Sequence, residues 1–205
     1  MEVDVQFAGS QQLRLQVEQG AGADLFISAD ERHMRALVEG GFTQGEPVAL
    51  ARNRLALVVP ADNPGGIETW RDLARPGLRF DRAAPVVPLG AYTDEALRLM
   101  AAVAGPDFLE SVRDNTVSEE DSAERVLAQV RLGEIDAAFV YASDVSAGEG
   151  AVRTIPFPDQ FNPTVTYLAA VLKEAESERA RPFLAFLLSR RGQGILADHG
   201  FEGVK

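Results

Sequence analysis

The 205-residue chain contains no cysteine. Disulfides, thiolate nucleophiles and cysteine metal sites are therefore excluded, although the compartment is left open. Histidine is almost as scarce, with only His33 and His199. They stand far apart in sequence, so neither an imidazole metal centre nor a catalytic pair is expected. No GK[ST] follows Gly65-Gly66, which removes the phosphate loop of nucleotide-binding proteins. No nucleophile elbow is present. No apolar run approaches membrane-spanning length. Met1-Glu2-Val3-Asp4 has neither a basic nor an apolar leader region, so no secretory signal is expected in this stretch. Positive charge is short as well. Against 31 Asp and Glu there are 20 Lys and Arg, a formal net charge of −11. No basic stripe exists for a nucleic acid. An anion bound by so acidic a chain must be held by local dipoles rather than by the overall field.

What is present is an alternation of strand-like and helix-like runs. A hydrophobic content of 46% with 25% charged residues is ordinary for a globular protein and sufficient for a core without staples. Residues 3–7 (VDVQF) read as a strand. Ala8-Gly9-Ser10 is a tight turn into a helix over 11–18, which Gly20-Ala21-Gly22 ends. Residues 24–28 read as a second strand, and Ala29-Asp30 opens a helix over 31–39. Two strand-to-helix junctions thus fall within about thirty residues, the span of one βαβ unit. Each places a small hydroxyl residue, Ser10 or Ser28, where helix N–H groups point outward, and such N-termini hold anions. Ser28 and Asp30 read as helix caps, Asp30 the better of the two.

The pattern continues with one long strand over 48–60, a loop over 62–66, a short helical turn at 70–73 and a strand at 78–80. A helix is expected from 91 to 103, with Ala96, Leu97, Met100 and Ala101 on one stripe. The acidic run 118–122 suits the start of a helix that continues through Leu132. Strands follow at 135–141, 152–157 and 165–172, then helices over 175–188 and 191–197, closed by Gly200. The fold class is therefore α/β. Two lobes are expected. Residues 1–54 and 168–205 form one and 55–167 the other, with hinge crossings near 50–58 and 164–170. A cleft between lobes suits a small molecule. Glu119, Glu120 and Asp121 read as a solvated helix start rather than a metal cluster. Arg52 and Arg54 read as exposed cover, an anion clamp being the alternative.

Several stretches in order, FAGSQQLRLQVEQGAGADLFISAD, ETWRDLARPGLR, VVPLGAYTDEAL, GEIDAAFVYASDV and LLSRRGQGILADHGF, resemble the periplasmic molybdate-binding proteins of ABC importers. The resemblance covers nearly the whole chain. It implies a type II periplasmic-binding fold, in which each of two lobes is a mainly parallel sheet flanked by helices. It implies binding of molybdate or tungstate, no cofactor and no catalysis, and delivery to a membrane permease on the extracytoplasmic side. Carried over by position, it implies four ligand-binding residues. Ser10 would offer hydroxyl and backbone N–H, Leu89 and Ala123 backbone N–H groups, and Tyr141 its hydroxyl. Ser10 and Tyr141 would touch the oxygens of the ion, not its metal. The family also begins with a further strand and helix, bearing another serine, that has no counterpart before Val3. The resemblance therefore implies an open sheet edge that could take up a second copy of the chain.

The chemistry is coherent. Molybdate at neutral pH is a dianion with acceptors only, whereas phosphate usually keeps a proton. A ring of donors favours the bare ion, since an unmatched polar group in a closed cleft costs about 1–3 kcal/mol. Taken on position alone, Ser10 reads more readily as an N-cap than as a ligand, Leu89 and Ala123 as filler, and Tyr141 as a core tyrosine with a satisfied hydroxyl. Two other functions remain open on the residues: an intracellular two-lobe ligand sensor, and a hydrolase or transferase on a doubly wound fold. The first lacks a preceding helix-turn-helix segment if read as a regulator. The second lacks a nucleophile with a partnered histidine. A family member with weakened oxyanion binding is a further alternative.

Overall fold

The structure is a computed structural model that describes residues 3–146, 150–175 and 178–204. In chain order its main elements are α1 (Ser10–Glu18), β1 (Leu25–Ser28), α2 (Glu31–Glu39), β2 (Val48–Asn53), β3 (Leu55–Pro60), β4 (Phe80–Ala83), α3 (Pro88–Ala104) and α4 (Asp107–Asp114). They continue with β5 (Thr116–Glu120), α5 (Ala123–Arg131), β6 (Ala137–Tyr141), β7 (Val152–Ile155), β8 (Val165–Val171), α6 (Ala180–Leu188) and α7 (Arg190–Asp198). The strands form two sheets, one of three strands ordered β1-β8-β2 and one of five ordered β5-β4-β6-β3-β7.

Period-two burial explains the small sheet. Ala170 of β8 turns to one face, where Phe26, Met34 and Leu37 meet Leu13 and Val17 of α1. Ala169 turns to the other, onto Leu50, Ala51 and the apolar faces of α6 and α7 (Leu184, Leu187, Leu188, Leu196). The large sheet carries the main core. Phe80, Phe139, Leu57, Val58 and Val59 are fully buried beneath Met100 of α3 and Val126 and Val130 of α5. Trp70 closes one end, with its ring edge-on to Phe108 at 5.5 Å and to Phe161 at 5.1 Å.

Several expectations from sequence are corrected. Residues 3–7 join neither sheet. Val5 and Phe7 are 61% and 85% exposed. Their alternation is strand-like, but a strand needs a neighbouring ladder, and none among the described residues supplies one. The long strand over 48–60 is two strands in different sheets. The chain changes sheet at Arg54, whose N–H donates to the Asn53 side chain at 2.9 Å. Asn162 brackets Leu55 beside it, accepting the Leu55 N–H at 2.9 Å and donating to the Leu55 carbonyl at 2.8 Å.

The sheets are also less parallel than expected. Both pairings of the small sheet are antiparallel, and in the large sheet only β4 pairs in parallel, with β5 and β6. The return strand enters the small sheet at Val165, opposite Asn53, so a lobe boundary at 167/168 would fall inside β8. Glu119 and Glu120 lie in β5, an edge strand whose polarity imitates a helix start, and the helix begins only after Ser122. Helix α4 leaves little periodic signal in the sequence, because only Phe108 and Val112 bury on it. The helix expected from Ala175 begins at Ala180; Glu176 and Ser177 lie outside the described residues.

One buried polar chain runs along this sheet. Asp81 is fully buried on β4, with Oδ1 3.0 Å from the Ser118 hydroxyl, which lies 2.7 Å from a Glu120 carboxylate oxygen. One hydroxyl proton cannot serve two carboxylates. Oδ1 also accepts the Arg82 N–H at 2.8 Å and buried Oδ2 has no hydrogen-bond partner, so a protonated Asp81 relieves the contest for the Ser118 proton. Burial, with the nearby Glu120 charge adding to it, pushes the Asp81 carboxyl up to about 6. A folded value above the unfolded one of about 3.9 means stability falls as pH rises through the interval between them. The substitution Asp81→Asn should therefore raise the melting temperature at pH 8 by several degrees and by a clearly smaller amount at pH 4.5, as read by calorimetry. A lower melting temperature at pH 8 would show the ionised form to be the stabilising one.

Candidate functional site

The N-terminus of α1 is built on Gly9, which holds the cap position without a side-chain bond. Ser10 is the first helical residue rather than the cap. Its hydroxyl, in a side chain almost wholly buried, accepts the Ala29 N–H at 3.0 Å and so ties α1 to the start of α2. That bond uses the oxygen as acceptor and leaves the hydroxyl proton to be donated elsewhere. Asp30 caps α2 by accepting the His33 N–H at 2.9 Å, as the sequence suggested. Ser28 is buried within the same junction, where its hydroxyl donates to the Asp30 carbonyl at 2.8 Å.

Leu89 is the second residue of α3, behind Pro88, with its side chain fully buried in the core. A helix leaves its first N–H groups without internal partners, so the Leu89 N–H faces outward. The next residue must be glycine. A Cβ on Gly90 would lie 2.2 Å from the Ala84 carbonyl oxygen, because α3 starts jammed against the end of β4. Ala123 is the first residue of α5, half-buried, behind Ser122, whose hydroxyl accepts the Arg125 N–H at 3.3 Å.

Tyr141 ends β6 opposite Leu55, where the chain crosses between sheets. Its buried ring stands edge-on to Tyr167 of β8 at 6.0 Å, and Tyr167 in turn meets Phe201 at 5.3 Å. Burial pushes the Tyr141 phenol well above its usual value, with Tyr167, Tyr92, Asp144 and Asp30 adding to the effect. The hydroxyl thus stays protonated across the physiological range and keeps its capacity to donate.

Contacts between lobes gather these elements. The Gln11 side-chain amide donates to the Asp121 carbonyl at 2.8 Å, and that of Gln12 to the Asp121 carboxylate at 3.3 Å, joining the start of α1 to the start of α5. On the opposite flank the Arg32 guanidinium donates to the Val86 carbonyl at 2.6 Å. Nε2 of buried His33 lies 2.9 Å from the same oxygen, so that nitrogen carries the proton. These bonds join the start of α2 to the loop entering α3. Ala29, Tyr92, Ala123 and Tyr167 pack against the core that contains Leu89 and Tyr141. Of the positions singled out from sequence, Ser10 and Ala123 thus lie beside the Gln11–Asp121 contact, Leu89 stands three residues after Val86, and Tyr141 ends its strand at the crossing between the sheets.

Charged side chains near it are occupied. Arg54 donates to the Asn162 carbonyl at 3.3 Å and approaches Glu202 at 3.6 Å, which removes it as an anion clamp. Arg82 pairs with Asp94 at 2.7 Å and lies 3.7 Å from Glu119. His199 ends α7, remote in sequence and fold from His33. Among the described residues no three histidine or carboxylate side chains converge as a metal site. Helix starts lie beside these interlobe contacts, and helix N-terminal N–H groups suit an uncharged grip on an anion. Gln11, Gln12, Arg32 and His33 were missed as cross-lobe residues. Each reads in sequence as an ordinary helical polar residue, and only the pairing of distant segments reveals its partner.

Residues 1–202 match the family described as bacterial extracellular solute-binding protein. The molybdate-binding protein ModA of Mycobacterium tuberculosis is 36% identical over 202 residues, which span 98% of this chain and 74% of that one. Among solved structures, the periplasmic molybdate-binding protein of Azotobacter vinelandii superposes with a TM-score of 0.84 at 22% identity, covering all of this chain and 89% of that one. The sulfate-binding protein SubI of Mycobacterium tuberculosis superposes at 0.81 with 24% identity, covering 96% and 74%. The two-lobe α/β architecture is thus shared with proteins of different oxyanion preference. The chain belongs to the bacterial extracellular solute-binding protein family.

Proposed function

We propose that this protein is the substrate-binding component of a molybdate or tungstate ABC import system. It would hold the tetrahedral ion between its lobes, outside the cytoplasmic membrane, and pass it to a permease without any reaction of its own. The observation that supports the reading is that helix starts lie beside interlobe contacts: Gln11 of α1 bonds Asp121 just before α5, and Arg32 and His33 bond Val86 just before α3. The relative of 36% identity named for molybdate binding supports the choice of ion.

The roles follow from donor chemistry. Ser10 donates its hydroxyl and backbone N–H, Leu89 and Ala123 their backbone N–H groups, and Tyr141 its hydroxyl. None of these groups carries a formal charge that binding must desolvate. The helix ends place partial positive charge at the anion, so a chain with a net charge of −11 needs no cation there. A donor-only lining leaves the proton of hydrogen phosphate without an acceptor, which disfavours that ion. Sulfate also has only acceptors, so its rejection falls to the size of the closed cavity.

Calorimetric titration tests the reading. Molybdate and tungstate should bind one to one and at least tenfold more tightly than sulfate or phosphate. Preferential binding of phosphate, or of an organic anion, would contradict it. The variants Ser10→Ala and Tyr141→Phe should each weaken molybdate binding by about 10- to 100-fold, the loss expected when a hydrogen bond to a charged group is removed. Without ion, Tyr141→Phe should melt near the parent, whereas Ser10→Ala, which also leaves the Ala29 N–H without its acceptor, should melt a few degrees lower. Unchanged affinity in both would remove these hydroxyls from the site.

A further inference from the structure

We propose that Gln11 is a positioning residue that holds the cleft shut, acting on ligand release through α5 rather than by touching the ion. The proposal rests on the reading above for its ligand and extends it to a residue outside the donor set.

Gln11 lies on α1 in the small-sheet lobe, is 6% exposed, and its amide donates at 2.8 Å to the carbonyl of Asp121 in the other lobe. A carbonyl only accepts, so the amide orientation is settled: Nε2 faces Asp121. Asp121 stands two residues before Ala123, whose N–H is one of the proposed donors. The bond therefore fixes the start of α5 against the start of α1, where Ser10 sits.

The side chain is closely packed, with its Oε1 buried and without a hydrogen-bond partner. The Gln11 amide folds back over Gly9, and a Cβ on Gly9 would meet its nitrogen and oxygen at 2.5 Å. The φ of Gly9 is −58°, a value open to any residue, so backbone conformation does not demand glycine there. A side chain at position 9 would instead displace the Gln11 amide, the flexible end that has to give way, from its place against Asp121. The bond joins residues 110 apart in the chain and on different lobes, so it is lost when the lobes separate. It stabilises the closed state alone, and its loss should appear in the rate of ion release. The contacts of Arg32 and His33 with Val86 form on the other flank and would remain in a Gln11 variant.

The test is stopped-flow release of molybdate from the parent, Gln11→Leu, Gly9→Ala and the double variant. A neutral hydrogen bond predicts that Gln11→Leu releases the ion about 2- to 10-fold faster with little change in association. Gly9→Ala should do the same, and should add nothing once Gln11 is Leu, because both changes remove one contact. Equal release rates in the parent and Gln11→Leu, or independent additive effects of the two substitutions, would overturn the proposal.

Should the parent take up neither molybdate nor tungstate, the function proposed above fails separately. The latch is then read without any ion. The cysteine-free chain accepts spin labels on cysteines introduced at the exposed positions Glu39 of α2 and Glu110 of α4, one on each lobe. Gln11→Leu and Gly9→Ala should both move the distance distribution toward longer separations. Distributions identical to the parent's would overturn the latch as well.

Discussion

A helix that begins inside a protein leaves N–H groups that need an acceptor, and here α1, α3 and α5 all begin at the border between two lobes. That demand governs much of the surrounding design. Gly90 lets α3 start against the end of β4, and Ser122 satisfies one N–H of α5. Gly9 leaves the cap of α1 without a side chain, so its N-terminal dipole is not neutralised locally. Asp30 caps α2 in full view of Tyr141, yet it is engaged with the His33 N–H and the Arg32 guanidinium at 3.5 Å. The Asp30 charge is thus held by its own helix and by Arg32.

The protein's acidity makes this arrangement informative. Formal cations are rare at the junction and already paired, so an anion there is served by dipoles and hydroxyls. Such a grip discriminates by protonation state, because donors reward bare oxygens. It discriminates poorly between two bare tetrahedral dianions, for which cavity dimensions decide. The shared architecture of the molybdate- and sulfate-binding structures agrees with that division of labour: the fold supplies helix ends and a hinge, and the lining selects.

Local signals were readable wherever local forces decide. The Asp30 cap and the bounds of α2 follow from capping chemistry and a 3.6-residue apolar stripe. So do Ser122 and α5. Strands β6 and β8 show as continuous apolar runs. The failures share a cause, which is dependence on distant partners. Residues 3–7 carry a strand's alternation but pair with nothing described, and the run over 48–60 hides a change of sheet settled by Asn53 and Asn162. The site divided in the same way. Ser10 and Tyr141 are candidates through the resemblance alone, whereas the reach of Gln11 to Asp121 and of His33 to Val86 left no trace in composition or spacing.

The central claim is that uncharged donors from both lobes surround a bare metal oxyanion. The most direct measurement is anomalous diffraction at a tungsten absorption edge from crystals grown with tungstate. The account predicts a single strong peak at the junction, within hydrogen-bonding distance, through the ion's oxygens, of Ser10, Tyr141 and the N–H groups of Leu89 and Ala123. A peak coordinated by arginine side chains on the surface, or none between the lobes at saturating ion, would contradict it.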